Sequence, residues 1–263
     1  MDFSNYKIGI FTRSMNYSLY KMSNSTIQLP FERHRLTFTS AHGYLYEILK
    51  YDVDYAINID EDAFVVDNDA LLKLLEYCIT EKIVNCGMRD GGVYPIRYGN
   101  PLVTNPFFNI LDVKTIKKDF SISKIMNYLE VEINYTKLLP ANLPSKYEIS
   151  NNYEPFYPFF LWLNTNYKVL YLDAQEHDDK FTSILYNHLS EKFIYHSWYS
   201  RCYGVETFHT NRILSLYQSC NGLPLELSFF EKVMILSENI ILQKIIPLFL
   251  PFRRFVRSIF VKY

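Results

Sequence analysis

The chain has four cysteines, Cys78, Cys86, Cys202 and Cys220, and no CxxC pair among them. In a chain of 263 residues this excludes a disulfide scaffold and points to reduced thiols in a cytosolic setting. No run of about 18 uncharged apolar residues occurs, so no segment is expected to span a bilayer. The opening MDFSNYKIGIF lacks a basic region followed by a long apolar run, so no signal peptide is expected. Internal repeats and low-complexity linkers are absent as well. Net charge is only −1, which argues against nucleic-acid binding by the whole protein. Acids are also missing after Glu238, where five basic residues stand: Lys244, Arg253, Arg254, Arg257 and Lys262. The body thereby runs near −6, with 22 basic against 28 acidic residues, and the basic tail is expected to have a partner of its own.

What is present is a globular composition, 49% hydrophobic and 21% charged, with 23 Tyr and 20 Phe. The length suits one large domain or two small ones and can bury a substantial core. Tyr pairs an apolar body with a polar tip, so dense Tyr suits grooves that hold polar ligands.

Strand patterns occur at residues 7–12, 54–59, 83–87, 107–113 and 167–173, and helical patterns at 41–51 and 67–82. In the second helix Leu71, Leu74, Leu75, Cys78 and Ile79 form one apolar stripe, and Asp67 or Asn68 is available to cap its free amides. A long Gly-, Arg- and Pro-rich segment, 88–106, has no periodicity, and such loops are often functional. The region 121–165 mixes amphipathic helix with the aromatic run YEPFYPFFLWL, read as core before acceptor platform. KFTSILYNHL reads as a helix, KFIYHSWYSRCYG as an aromatic polar segment, and the chain beyond Thr207 as helical with breaks at Asn221-Gly222, Pro247 and Pro251. Strands alternating with helices predict an α/β sheet with ligand loops at the carboxyl ends of its strands.

Three carboxylates, Asp60, Glu61 and Asp62, follow the strand at 54–59 directly, and apolar AFVV resumes after them. Asp-x-Asp occurs three times in the chain, but Asp52/Asp54 precedes a strand and Asp67/Asp69 opens a helix. Half-buried carboxylates repel one another and need a counter-charge, which a divalent cation supplies; a solvated turn is the alternative. Oxygen ligands here suit Mg²⁺ or Mn²⁺, with phosphate and water completing the shell. A calcium EF-hand does not fit, since the loop lacks the required Gly and the closing Glu.

A first strand, a helix, YAINIDEDAFV and a further helix together resemble the metal-binding region of GT-A-fold glycosyltransferases, which use nucleotide-sugar donors. The resemblance covers roughly residues 7–204 and is patchy between 88 and 165. It implies a single Rossmann-like α/β domain over 1–205, with a mixed central sheet flanked by helices, followed by a helical extension over 206–263. It implies Mn²⁺ or Mg²⁺ held by Asp62 directly and by Asp60, which reaches the metal or the donor ribose; Glu61 falls at the motif's variable middle position. A late histidine often joins such a shell, and His196 is the candidate, with His209 as fallback; the alternative for His196 is a core imidazole. The end of the first strand, Phe11, Thr12 and Arg13, maps to the nucleotide contact. The motif follows that strand by only about 50 residues, so a strand–helix unit is expected to be missing or reduced.

Arg89, Arg97 and Arg201 are candidates to meet phosphate charge, and Asp90, followed by Gly91 and Gly92, to meet sugar hydroxyls. Inverting relatives carry a base in a late acidic pair, which LDAQEHDDKF offers as Asp178 and Asp179 near Glu176; helix capping is the alternative. The implied partners are a nucleotide-sugar donor, UDP-linked first, and a glycan or lipid-linked acceptor of surface polysaccharide or lipopolysaccharide synthesis. The tail at 240–263 fits an interfacial anchor on anionic lipid, which would set the protein at the inner face of the cell membrane; a terminal helix packed on the body is the alternative. One rival is a nucleotidyltransferase, which would bring a Gly-rich phosphate loop near the first strand, where TRSMNYSLYK has no Gly. The other is a non-catalytic nucleotide- or glycan-binding protein docked at the membrane.

Overall fold

The structure is a computed structural model that describes residues 2–91, 93, 99–126, 128, 139, 143, 147, 154–222, 224–241, 245 and 248. Gly92, Arg97 and most of the tail at 240–263 lie outside the described residues.

The chain opens with β1 (Ile8–Arg13), α1 (Tyr17–Thr26), β2 (Glu32–Leu36), α2 (Gly43–Ile48) and β3 (Tyr55–Ile59). It continues through β4 (Ala63–Val65), α3 (Asn68–Thr80), β5 (Asn85–Met88), β6 (Phe108–Asp112), α4 (Val113–Asp119) and α5 (Ile122–Met126). Then come α6 (Tyr157–Asn166), β7 (Val169–Leu172), β8 (Ala174–Glu176), β9 (Thr182–Tyr186), β10 (Lys192–Ser197), α7 (Thr207–Ser219) and α8 (Phe229–Ile240). Six strands form a mixed central sheet in the order β2-β1-β3-β6-β5-β7. β1 runs parallel to β2 and β3, β5 runs parallel to β7, and β6 is antiparallel to both its neighbours. Helices flank this sheet, so the α/β expectation holds.

Burial follows strand alternation. Tyr55, Ile57 and Ile59 of β3 join one core cluster with Leu71, Leu74, Leu75 and Cys78 of α3, while Ala56 packs on the opposite side with α2 and α6. The predicted stripe of α3 is thus its core face, and each of those leucines contributes about 1.5–3 kcal/mol by burial. Asp67 caps the helix, its Oδ1 accepting from the Ala70 amide at 3.0 Å. The aromatic run becomes α6, whose residues Tyr157 to Leu163 are all buried, so it is core.

The structure differs from the sequence reading in three places. First, no strand–helix unit is missing between β1 and β3: α1 and β2 are both there. Helix α1 carries few strong helix formers and is started by Asn16, whose side chain accepts from Ser18 and Leu19 amides. β2, ERHRL, is a polar edge strand and so lacks an apolar signature. Second, KFTSILYNHL is not a helix but contains β9. Third, KFIYHS is β10, and both belong to a second, antiparallel sheet of order β4-β10-β9-β8. α7 packs on this sheet, burying Ile213, Leu216 and Tyr217 against Leu19, Met22, Phe64 and Tyr195. Among the described residues no helix is long and apolar enough to cross a membrane.

Candidate active site

The three acids form the turn through which the chain leaves the central sheet at β3 and enters the second sheet at β4. Its backbone is pinned on several sides. The Asp60 amide donates to the Phe107 carbonyl at 2.8 Å, and the Ala63 amide to the Asp60 carbonyl at 3.1 Å. The Ser23 hydroxyl of α1 donates to the Ala63 carbonyl at 2.7 Å, and the Ser197 amide donates to the Asp62 carbonyl at 2.9 Å. β4 then pairs with β10 so that Ala63 stands opposite His196. That register, set by two strands absent from the sequence reading, brings the late histidine to the acidic turn.

The three side chains have different surroundings. His196 Nε2 lies 3.6 Å from Asp62 Oδ1, and both residues are buried. The imidazole is stacked flat on Phe107, centroids 3.9 Å apart and planes within 3°, and Trp198 sits 4.4 Å away. Asp62 Oδ1 is buried and accepts no hydrogen bond. Burial, then the neighbouring Asp60 charge, pushes the Asp62 carboxyl well above the usual range, against a hydrogen bond from Ser200. Asp60 is pushed up to about 6 by burial, opposed by the Arg13 charge and by the Glu61 amide, which donates to its Oδ1 at 3.0 Å. Glu61 is raised to about 7 by burial and by Asp60. Its Oε2 accepts from the amides of Met15 (2.9 Å) and Asn16 (2.7 Å), so it holds the β1–α1 loop. Glu61 is therefore a structural tie rather than an idle middle position. No spacing rule reveals a tie between residues 46 apart in sequence; nor does one reveal Ser23 or Phe107, which set the turn and the imidazole plane.

The turn thus gathers three carboxyls raised above their ordinary range, a buried Asp62 oxygen without a hydrogen bond and the His196 imidazole beside it, with the Arg13 charge acting on Asp60. Asp62 and His196, 3.6 Å apart, offer an O, N pair of the kind that suits Mn²⁺ and accepts Mg²⁺, whereas the described ligand atoms that converge within 4.8 Å of one another are those of Cys202, Glu206 and His209.

The other candidates scatter. Arg13 ends β1 next to the turn, its guanidinium 5.9 Å from the Tyr44 ring centroid, its charge acting on Asp60. Thr12 is buried beside it. Phe11 is fully buried, stacked on His34 at 4.8 Å and edge-on to Tyr51, so its ring belongs to the core rather than to a ligand surface. Asp90 is fully buried and accepts from Asn105 Nδ2 at 2.7 Å and the Tyr157 hydroxyl at 2.5 Å, bonds that brace the loop internally. Gly99 packs so tightly there that a Cβ would lie 2.4 Å from the Asp90 carbonyl oxygen. Arg89 lies over the Tyr171 ring at 3.6 Å and donates to the Pro101 carbonyl. These contacts make Arg89 and Asp90 braces of the loop base.

Asp178 and Asp179 occupy the turn between β8 and β9, not a helix start. Asp179 accepts from the Phe181 amide (2.9 Å), the Thr182 hydroxyl (2.7 Å) and Arg212 (3.3 Å), while Asp178 is exposed. These bonds together hold the Asp179 carboxyl below its usual range although burial opposes them. That environment suits a fixed anion at a turn better than a proton acceptor. Arg201 is exposed. His209 is stacked on Tyr199 at 4.8 Å and faces Glu206 and Cys202, a different set of neighbours from the acidic turn.

No family model and no curated protein matches the sequence. Among solved structures the chain is similar to A197 from STIV, at 12% identity and a TM-score of 0.36, over 71% of this chain and 93% of that one. It is similar to mannosyltransferase PcManGT from Pyrobaculum calidifontis in complex with GDP-Man and Mn²⁺, at 7% identity and a TM-score of 0.41, over 98% and 76% of the two chains. It is also similar to S. aureus TarS 1-349 in complex with UDP-GlcNAc, at 11% identity and a TM-score of 0.30, over 43% and 47%. All are remote likenesses, and none assigns a role to a residue of this chain.

Proposed function

We propose that the protein is a divalent-metal-dependent glycosyltransferase that moves a sugar from a nucleotide-sugar donor, UDP-linked first, to a glycan or lipid-linked acceptor. The observation that carries this reading is the acidic turn: Asp62 meets His196 at 3.6 Å at the carboxyl end of β3, beside Asp60 and Arg13. Asp60, Asp62 and His196 would hold the cation, which when bound supplies Lewis-acid neutralisation of a diphosphate leaving group.

The chain's own residues do the positioning. Phe107 and Trp198 fix the plane of the imidazole, so that its Nε2 faces Asp62 without a search over rotamers. Glu61 holds the Met15 and Asn16 amides, which fixes the loop that follows β1. Arg13 ends β1 beside the turn and places a guanidinium where phosphate charge would lie. For an inverting course, the base reading passes to the exposed Asp178, since Asp179 is engaged with Thr182 and Arg212. We further read the basic segment after Glu238 as meeting anionic lipid, which suits a lipid-linked or surface acceptor.

The test is a panel of UDP- and GDP-sugars with Mn²⁺, Mg²⁺ or chelator, read by thermal stabilisation and by release of nucleoside diphosphate. A metal-dependent response to one donor, lost in Asp62→Asn, is expected. Silence toward every nucleotide in the presence of metal refutes the enzyme reading. Release of pyrophosphate from a nucleoside triphosphate and a sugar phosphate instead would mark a nucleotidyltransferase.

A further inference from the structure

Helix α8 is mounted inside out. Its two acids face the body. Glu231 pairs with Lys21 at 2.7 Å and accepts from the Tyr17 hydroxyl at 3.1 Å. One turn-pair later, Glu238 is buried and takes both Nη atoms of Arg35, at 2.7 and 2.9 Å, together with the Tyr17 amide at 2.9 Å. Ser228 and Glu231 close a reciprocal cap at the helix start. The opposite face carries Phe229, Val233, Leu236 and Ile240, spaced i, i+4, i+7, i+11, which is one stripe of an α-helix. In a water-soluble helix that stripe would pack on the core. Here the four are 75%, 46%, 61% and 40% exposed, and Phe230 and Met234 widen the strip on one side.

We propose that this outward stripe is a docking surface for an anionic lipid bilayer, with α8 lying in the interface and its acidic face bolted to the protein. The proposal rests on the membrane reading of the basic segment and adds to it the element that inserts. Charge identifies the occupant. From Asn239 to Tyr263 the chain carries five basic residues and no acid. Both acids of α8 are already spent on Lys21 and Arg35, so the helix offers those basics no counter-charge. An anionic headgroup layer supplies it, while the acyl boundary accepts the apolar stripe. A second copy of the chain would instead bring two basic segments together. Among the described residues no helix is long and apolar enough to cross a bilayer, and both acids of α8 are tied to the body, so on this reading α8 lies on the surface. Tyr17, which both acids of α8 hold, follows directly after Asn16, whose amide Glu61 holds. The docking helix and the acidic turn thus grip adjacent residues of one loop.

The test uses the full chain and flotation with vesicles of phosphatidylcholine, alone or mixed with phosphatidylglycerol. Three proteins are compared: the parent, Phe229→Ser/Leu236→Ser, and Arg253→Gln/Arg254→Gln/Arg257→Gln. The stripe variant keeps every basic residue and is expected to lose at least roughly tenfold in partition to anionic vesicles, with an unchanged melting temperature. The basic-segment variant is expected to lose both its binding and its preference for phosphatidylglycerol. If the stripe variant floats like the parent, α8 is not the docking face, although the reading of the basic segment survives. If the parent does not float, both readings fall. A parent that self-associates in solution, and a stripe variant that does not, would assign the face to a second copy and overturn the proposal.

Discussion

Replacing Asp60 by Asn should stabilise the metal-free protein while destroying its response to metal. The folded Asp60 carboxyl sits at about 6 against an ordinary 3.8, chiefly through burial. The difference is about two pH units, and each unit corresponds to about 1.4 kcal/mol, so the ionised side chain opposes folding by about 3 kcal/mol. The sign follows from proton binding. The folded state holds this proton more tightly than the unfolded chain does, so the associated stability is complete below about pH 4 and is lost as pH rises through about 6. Glu61, raised to about 7, behaves alike over a slightly higher range. Carboxylates with lowered values, such as Asp179 and Glu231, are already ionised above about pH 5.5 and do not mask the trend. In chelator, then, stability should fall by roughly 2–3 kcal/mol between about pH 5.5 and about pH 7.5. Asn keeps an oxygen that can accept from the Glu61 amide and removes the charge that raises Asp62 and Glu61. At about pH 7.5 Asp60→Asn should therefore melt about 6–12 °C higher than the parent in chelator. With Mn²⁺ the order should reverse or close, because only the parent gains binding energy, and its gain should grow with pH as protons leave the ligands. Differential scanning calorimetry across this range, with and without Mn²⁺, reads all of these effects. A chelated parent that becomes more stable from pH 5.5 to 7.5, or an Asp60→Asn protein that melts lower than it, would refute the desolvated-carboxylate argument.

Glu238→Gln breaks a buried, two-point ion pair with Arg35 and should cost about 3 kcal/mol in urea unfolding; hydrogen exchange at the amides around Tyr17 should rise with it, and unchanged exchange there would show that α8 does not secure the β1–α1 loop. Asp179→Ala removes acceptors for the Phe181 amide, the Thr182 hydroxyl and Arg212 and should cost about 1–3 kcal/mol; full stability with lost turnover would instead return Asp179 to the role of base.

The central sheet was legible because its interior strands are short apolar runs between polar residues, and α3 because its stripe and cap both lie within one segment. What stayed hidden was structure whose signal is weak or nonlocal. β2 sits at the edge and shows water a polar face. β9 reads as easily as a helix as a strand, since Leu185 is buried by the core shared with β3 and α3, residues far away in sequence, not by a local period. The same nonlocality limits the site. Asp60 and Asp62 stand out by their place after β3. Arg89, Asp90 and Asp179 have the right chemistry on paper, yet the fold turns each inward to brace a loop or a turn. A polar side chain near a strand end has two possible employers, a ligand and the backbone, and sequence alone weighs them equally.

Why the acidic turn needs three carboxylates becomes clear from how differently they are held. A motif that reads only the outer pair leaves the middle residue unexplained, yet Glu61 makes the tightest backbone contacts of the three. Its two acceptor bonds replace what a Gly-rich loop would do elsewhere: they immobilise Met15 and Asn16 so that the segment after β1 keeps one conformation. Asp60 is balanced partly by Arg13 on the neighbouring strand, and Asp62 faces the imidazole that β10 delivers. Each acid therefore ties the turn to a different element: α1 through its leading loop, β1, and the second sheet. Such an arrangement is costly to stability, because burial raises all three carboxyls at once. A turn serving only to connect two strands would be better built from Asn or Ser, which hydrogen-bond equally well without the repulsion. Retaining the charges makes physical sense where a cation binds, and the cost then appears as affinity for that cation rather than as loss of the fold.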